Sequence, residues 1–241
     1  MNYQKTILDS IRNISITGGK IKTIHVRFVE EDDISIRVEG DLSEYKEEIN
    51  FQHLDIYTIN EEHKNVNIND LPRIERMEID LPLHYSGGMD VDAVGTIVSI
   101  MSKEIRTLSS LSFDGVDLDI NVQNIHSSIE IDGVNTKLNA NGVSGSIDSD
   151  GVKNLVYVRN VQNSLNIEMD GVSSKIYLVN PKDAVNYKVS LDGLKSKIYY
   201  NGKVNKGFGS MHFTSPSYNP QSPTITIDAD GLSSTVHIDE E

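Results

Sequence analysis

The stretch Ile129-Glu130-Ile131-Asp132-Gly133-Val134-Asn135-Thr136-Lys137-Leu138 is followed eighteen residues later by Ile147-Asp148-Ser149-Asp150-Gly151-Val152-Lys153-Asn154-Leu155-Val156, and the two align position by position around Asp-Gly. The pair recurs at Asp114-Gly115, Asp132-Gly133, Asp150-Gly151, Asp170-Gly171, Asp192-Gly193 and Asp230-Gly231, at spacings of 18, 18, 20, 22 and 38 residues. Three residues before each Asp stands an aliphatic: Leu111, Ile129, Ile147, Ile167, Val189 and Ile227. Directly after each Gly stands another (Val116, Val134, Val152, Val172, Leu194 and Leu232), and four further on a third (Ile120, Leu138, Val156, Ile176, Ile198 and Val236). Self-similarity at a near-constant period marks a repeat whose units bury their inner faces only by stacking on one another.

Apolar residues two apart in each flank predict strands with one face inward. Asp-Gly between them predicts a corner, since Gly takes positive φ without a Cβ clash. A hairpin meander would not repeat one residue at one phase in every unit, so like stacks on like. The expected fold is all-β, a single-stranded parallel β-helix (β-solenoid) of about 18–22 residues per rung, right-handed by the sterics of parallel crossovers. Equivalent aliphatics then form ladders inside a thin core, with Val134, Val152 and Val172 one above another. The interval of 38 reads as two rungs with one Asp-Gly missing near Gly207 to Ser210, and Gly95 marks an earlier turn.

The remainder divides into an N-terminal cap with opening rungs over 1–75 and the regular solenoid over 76–241. Ile14, Ile16, Ile24, Val26, Phe28, Ile34, Ile36 and Val38 alternate as in strands, while Tyr3, Ile7, Leu8 and Ile11 have helical spacing and predict a short amphipathic cap. An irregular rung and loop are expected over 201–224, where Gly202, Gly207, Gly209, Pro216, Pro220 and Pro223 break the pattern; an excursion of that length is a candidate contact surface. The charged Asp239-Glu240-Glu241 should oppose end-to-end strand addition, holding assembly to a small homo-oligomer.

Composition narrows function by exclusion. A formal charge of -14 with no basic patch argues against nucleic acid, and the absence of cysteine removes disulfides, thiolate metal sites and thiol chemistry. The longest apolar stretch, Ala93 to Met101, is under half the roughly 20 residues that span a bilayer, so no transmembrane segment is expected. Met1 to Thr6 lacks the pattern of a secretory leader, which points to the cytoplasm.

Carboxylates two apart at Asp90/Asp92, Asp117/Asp119, Asp148/Asp150 and Asp228/Asp230 share a strand face and could line up oxygens for Ca²⁺, but the Gly-Gly-x-Gly-x-Asp pattern of calcium-binding β-rolls is missing and solvated aspartates are the simpler reading. As acid and base of a polysaccharide-acting enzyme they would need unlike environments, and a repeat supplies like ones. The histidines at 25, 53, 63, 84, 126, 212 and 237 show no metal-ligand spacing, Thr17-Gly18-Gly19-Lys20 departs from a phosphate loop, and no cofactor motif is present. Sharper is a recurrence six residues past Gly: Tyr157, Tyr177 and Tyr199, with His237 at the last equivalent position, predict an outward aromatic ladder, and Lys175 and Lys197 lie two residues before their tyrosines on the same face.

Leu81-Pro82 closing the strand Met77 to Leu81, with Gly-spaced β repeats after it and Asp33-Ile34-Ser35-Ile36-Arg37-Val38-Glu39-Gly40 and Leu54-Asp55-Ile56 before it, resembles the bacterial putative-adhesin family of β-strand-repeat proteins, over roughly residues 14 to 239. The resemblance implies a single-stranded β-helix, a domain of unknown function with no established enzyme activity, and surface or envelope association. The expected function is therefore a non-enzymatic scaffold that binds a protein, a glycan or a second copy through its stacked faces. The alternatives are a polysaccharide-acting β-helix enzyme and a cytoplasmic regulatory partner of an envelope system.

Overall fold

A computed structural model describes residues 2–7, 10–58 and 73–241, and in it the chain is all-β: every strand belongs to one hydrogen-bonded sheet, and no helix occurs among the described residues. The N-terminal part contributes β1 (Asn2–Ile7), β2 (Asn13–Thr17), β3 (Lys20–Ile21), β4 (Thr23–Val29), β5 (Ile34–Gly40), β6 (Lys46–Asn50), β7 (His53–Tyr57), β8 (Arg73–Pro82) and β9 (Gly88–Val94). The repeats run through β10 (Ile97–Val116), β11 (Asp119–Val134), β12 (Lys137–Asn141), β13 (Ser144–Val152), β14 (Leu155–Arg159), β15 (Leu165–Val172), β16 (Ser174–Asn180), β17 (Asn186–Gly193) and β18 (Ser196–Tyr200). The chain closes with β19 (Lys203–Gly207), β20 (Met211–Thr214), β21 (Thr224–Gly231) and β22 (Ser234–Glu240).

Two walls result. The Asp wall holds the strands that carry Asp-Gly, in the order β6, β7, β2, β9, second half of β10, second half of β11, β13, β15, β21, β17, β20. The Tyr wall runs β1, β5, β8, β4, first half of β10, first half of β11, β12, β14, β16, β22, β18, β19. Successive repeats pair in parallel with like on like: Asp114, Asp132, Asp150 and Asp170 are neighbours across strands, as are the glycines after them. Inward residues of both walls, among them Ile129, Ile147, Ile167, Leu138, Val156 and Ile176, are buried in one aliphatic core.

Asp-Gly is not the corner that the spacing predicts. In β10, β11, β13 and β15 the strand runs through it to the following valine, and the chain turns one residue later, where Asp117, Asn135, Lys153 and Ser173 take φ of 57°, 60°, 62° and 66°; β17 and β21 end on the glycine itself. Alternation therefore continues through the pair: Asp out, Gly in, Val out. Val116, Val134, Val152 and Val172 stack as predicted but face solvent at 38–43% exposure, so only two of the three repeated apolar positions build the core. Glycine is required by proximity. A Cβ on Gly151 would stand 1.9 Å from the carbonyl oxygen of Gly133, and one on Gly171 2.0 Å from that of Gly151.

The interval of 38 is not two rungs with a missing pair. After β18 the chain doubles back as β19, antiparallel to β18, then lays β20 antiparallel on β17, crosses a loop over 215–223 and returns. Its last two strands enter between earlier ones: β21 between β15 and β17, and β22 between β16 and β18. Asp239 and Glu240 consequently sit on an inner strand and cannot guard an end; the outermost strand there is β19, with exposed Lys203 and Lys206. Placed there, β21 and β22 are paired on both edges, and the outer edges of β17 and β18, which they displace to the tip, are covered by β20 and β19.

The N-terminal cap is a strand. Residues Asn2–Ile7 pair antiparallel with β5, an open edge that helix formation would leave unpaired; Leu8 lies outside the described residues. At this end Glu47, whose side chain is 4% exposed, accepts hydrogen bonds from Lys5 Nζ (2.9 Å), Tyr3 Oη (3.4 Å) and Tyr45 Oη, tying the last strands of the two walls together. Burial first, then this carboxylate, pushes the Tyr45 hydroxyl far above its ordinary pKa. At the opposite end the Tyr200 and Phe213 rings meet at 5.0 Å, again joining one wall to the other. No helix among the described residues is long and apolar enough to cross a membrane.

Candidate interaction face

The Tyr wall places its outward residues by simple alternation. In Leu155-Val156-Tyr157-Val158-Arg159 the valines are buried and the others point out, and β16, β22 and β18 repeat the pattern in register. Tyr157 pairs with Tyr177, Tyr177 with His237, and His237 with Tyr199. The rings form one column, at centroid distances of 4.8, 4.5 and 4.2 Å and interplanar angles of 17°, 8° and 3°. His237 is thus inside the ladder, between Tyr177 and Tyr199, and not at its end as chain order suggests; insertion of β22 puts it there. Burial between the rings, helped by Lys175, holds the imidazole below its ordinary pKa against the opposing pull of Asp239.

Lys175 and Lys197 flank the column as expected, separated by Thr235 in the row two residues before it. The same row holds Lys137, which sequence reasoning missed: its ammonium lies 5.8 Å from the Tyr157 ring centroid and 3.8 Å from Asp119. The row on the other side runs Gln123, Asn141, Arg159, Val179, Asp239. Arg159 makes no side-chain hydrogen bond or ion pair with the described residues, and it lies where two clefts meet. One, of about 430 Å³, is lined by Tyr157, Tyr177, Asn160, Asn180 and Glu241 among others; the second, of about 260 Å³, by Ser99, Met101, Asn121, Gln123, Asn139 and Asn141. Several carboxamides are held by one another: Asn139 Nδ2 donates to Asn121 Oδ1 at 2.9 Å and to Asp119 Oδ1 at 3.0 Å, and Asn160 Nδ2 to Asn141 Oδ1 at 2.8 Å. Aligning the repeats two residues past the tyrosine would have exposed this row; single-residue scanning does not.

The Asp wall has the opposite chemistry. Asp92, Asp114, Asp132, Asp150, Asp170, Asp230 and Asp192 succeed one another across its strands, and Asp90, Glu130, Asp148, Glu168 and Asp228 stand in the next outward row. Burial raises the pKa of Asp92, Asp148, Asp150 and Asp230, and like-charged neighbours raise it further. Of the carboxylate pairs noted in the sequence, Asp90/Asp92, Asp148/Asp150 and Asp228/Asp230 share this face, whereas Asp117 and Asp119 are split, with Asp117 in the corner and Asp119 on the Tyr wall. Among the described residues no group of three or more His, Asp or Glu is placed to hold a metal ion. The middle strands of the Asp wall thus present a run of like charge, whereas the Tyr wall carries both signs, with Asp119 and Asp239 beside Lys137, Lys175, Lys197 and Arg159.

The sequence matches no protein-family model and no curated protein. The chain is similar to crystal structures of a putative cell adhesion protein from Clostridium sporogenes (13% identity over 100% of this chain and 99% of that one, TM-score 0.44) and of a putative adhesin from Bacteroides fragilis (11%, 99% and 97%, TM-score 0.45). A putative adhesin from Parabacteroides distasonis aligns at 10% identity over 98% and 97% of the two chains, with a TM-score of 0.34.

Proposed function

We propose that this chain is a non-enzymatic parallel β-solenoid, an adhesin-like binding protein whose Tyr wall docks an extended partner. The observation that carries the reading is the four-ring column of Tyr157, Tyr177, His237 and Tyr199, half exposed and bordered by Lys175 and Lys197 on a protein of net charge -14. Aromatic rings and long cations are the side chains that anchor interfaces, and here they sit on a rigid stacked surface that costs little to hold ready. In-register parallel pairing from β10 to β16 supports the solenoid reading.

A role without catalysis is supported by the repetition of the carboxylates: those of the Asp wall stand in rows of like residues on successive strands, and burial, followed by like-charged neighbours, raises Asp92, Asp148 and Asp150 alike, with no unlike pair singled out. The test is the double variant Tyr177→Ala, Tyr199→Ala, checked for native circular dichroism and compared with the intact protein on a glycan array and against purified envelope proteins. Loss of the retained ligands is expected. Undiminished binding by the folded variant would remove the face from consideration.

A further inference from the structure

If the Tyr wall is a docking face, its details select the ligand, and we infer that it takes an acidic oligosaccharide of the uronic-acid class, with a carboxylate seated on Arg159. This inference rests on the binding reading above and adds the chemistry of the partner. Within the column the ring faces are covered by one another at 4.2–4.8 Å, so they are closed to further stacking. What the column presents is edges and hydroxyls. The outer face of Tyr157 turns toward the Asn139 row, and it is there that the two clefts meet.

The lining favours a sugar over a protein. A protein interface needs a desolvated apolar centre. These clefts mix apolar side chains, among them Val179, Pro181 and Met101, with carboxamides, a serine hydroxyl and tyrosine edges, a lining that suits the apolar C–H face of a sugar ring together with its alternating donors and acceptors. Asn139 and Asn160 spend amide protons on neighbouring side-chain oxygens, so each carboxamide is fixed in orientation before a ligand arrives. Arg159 supplies the charge preference. It is the guanidinium between the clefts, it is solvent-exposed without a partner among the described residues, and its fork matches a carboxylate in two parallel hydrogen bonds. Lys137 is less available, because Asp119 is 3.8 Å from its ammonium. Glu241, on the rim of the larger cleft, and Asp239, two strands from Arg159 in its own row, oppose an anionic group on that side, which confines the ligand's charge to the Arg159 end and leaves the rest of that cleft for hydroxyls. The carboxylate rows of the Asp wall repel the same ligand, so one wall alone receives it.

The experiment is calorimetric titration with the trimer of galacturonic acid and, separately, the trimer of galactose, into the intact protein, Arg159→Gln, Arg159→Lys and Tyr157→Ala. The intact protein should bind the acidic trimer at least about tenfold more tightly than the neutral one, with affinity falling as salt is added. Arg159→Gln should erase the difference, and Arg159→Lys should restore part of it. Equal binding of the two trimers, discrimination that survives Arg159→Gln, or no binding of either trimer would overturn the inference. In the last case a protein ligand lost on Tyr177→Ala, Tyr199→Ala would leave the docking-face reading standing. Binding that needs Arg159 and ignores both Tyr157→Ala and that double variant would instead bring down the role given to the aromatic column.

Discussion

Replacing Gly151 by alanine tests what holds the repeats at their spacing. Gly151 has φ of +130°, and a Cβ there would lie 1.9 Å from the Gly133 carbonyl oxygen and 2.9 Å from its carbon, both backbone atoms of the next strand. No side chain can rotate away to relieve the contact, so the strands must separate and weaken the hydrogen bonds between Asp150-Gly151-Val152 and Asp132-Gly133-Val134. Overpacking contributes about 2 kcal/mol, and forcing an L side chain into this backbone conformation about 2 kcal/mol more. The expected loss is about 4 kcal/mol, equivalent to about 10 °C in Tm for a chain of this size. Gly95→Ala is the control: its φ is +65° with nothing within 4 Å of the added carbon, so it bears only the backbone term, about 1 kcal/mol. Urea unfolding by linear extrapolation measures both. Equal losses at the two sites, or a loss under about 1 kcal/mol at Gly151, would show that glycine is there for its turn propensity and that the close approach of the strands does not set the repeat.

Three further outcomes follow from the same geometry. Asp92, Asp148, Asp150 and Asp230 have folded pKa values above their unfolded ones, so their contribution is most favourable below the ordinary carboxylate range and is lost as the pH rises through the folded values; Glu78 and Asp80, held low by Arg37 and Arg27, act in the opposite sense and lose their contribution as the pH falls below that range. Calorimetric scans should therefore show Tm rising as the pH falls from neutral toward the carboxylate range and falling at stronger acid, and Asp148→Asn with Asp150→Asn should raise the neutral value and flatten the rise. His237→Ala removes two ring contacts at once and should cost roughly 1–3 kcal/mol in chemical denaturation, with His237→Tyr recovering most of it; an unchanged midpoint would deny the column any part in holding β22. Val152→Ser should change stability by about 0.5 kcal/mol or less, because its side chain faces water, whereas buried Val156→Ala should cost about 2 kcal/mol; comparable losses would return the post-glycine valines to the core.

Much of this architecture is written in the chain. The recurrence of Asp-Gly with an aliphatic three residues before it and another five after the glycine determines parallel, in-register strands, because only like-on-like stacking buries Ile129, Ile147 and Ile167 together with Leu138, Val156 and Ile176. Strand alternation likewise determines that Tyr157, Tyr177 and Tyr199 point outward on one face with Lys175 and Lys197. Local chemistry is enough for both, since each depends on residues a few positions apart or one period apart.

Only the tertiary structure decides the rest. Whether Val134 faces the core or solvent depends on where the chain turns, and that is settled at Asn135 by how closely the glycine column lets strands approach, a contact between repeats and not within one. Nor does chain order reveal that the last strands lie inside the stack: the rows Asp170, Asp230, Asp192 and Tyr177, His237, Tyr199 arise because β21 and β22 are inserted between earlier strands while β20 and β19 cover the outer edges of β17 and β18. Periodicity reports which face a residue takes. Neighbours that come from distant sequence are chosen by the total of unpaired backbone and exposed core that the folded chain must remove, which no single repeat carries.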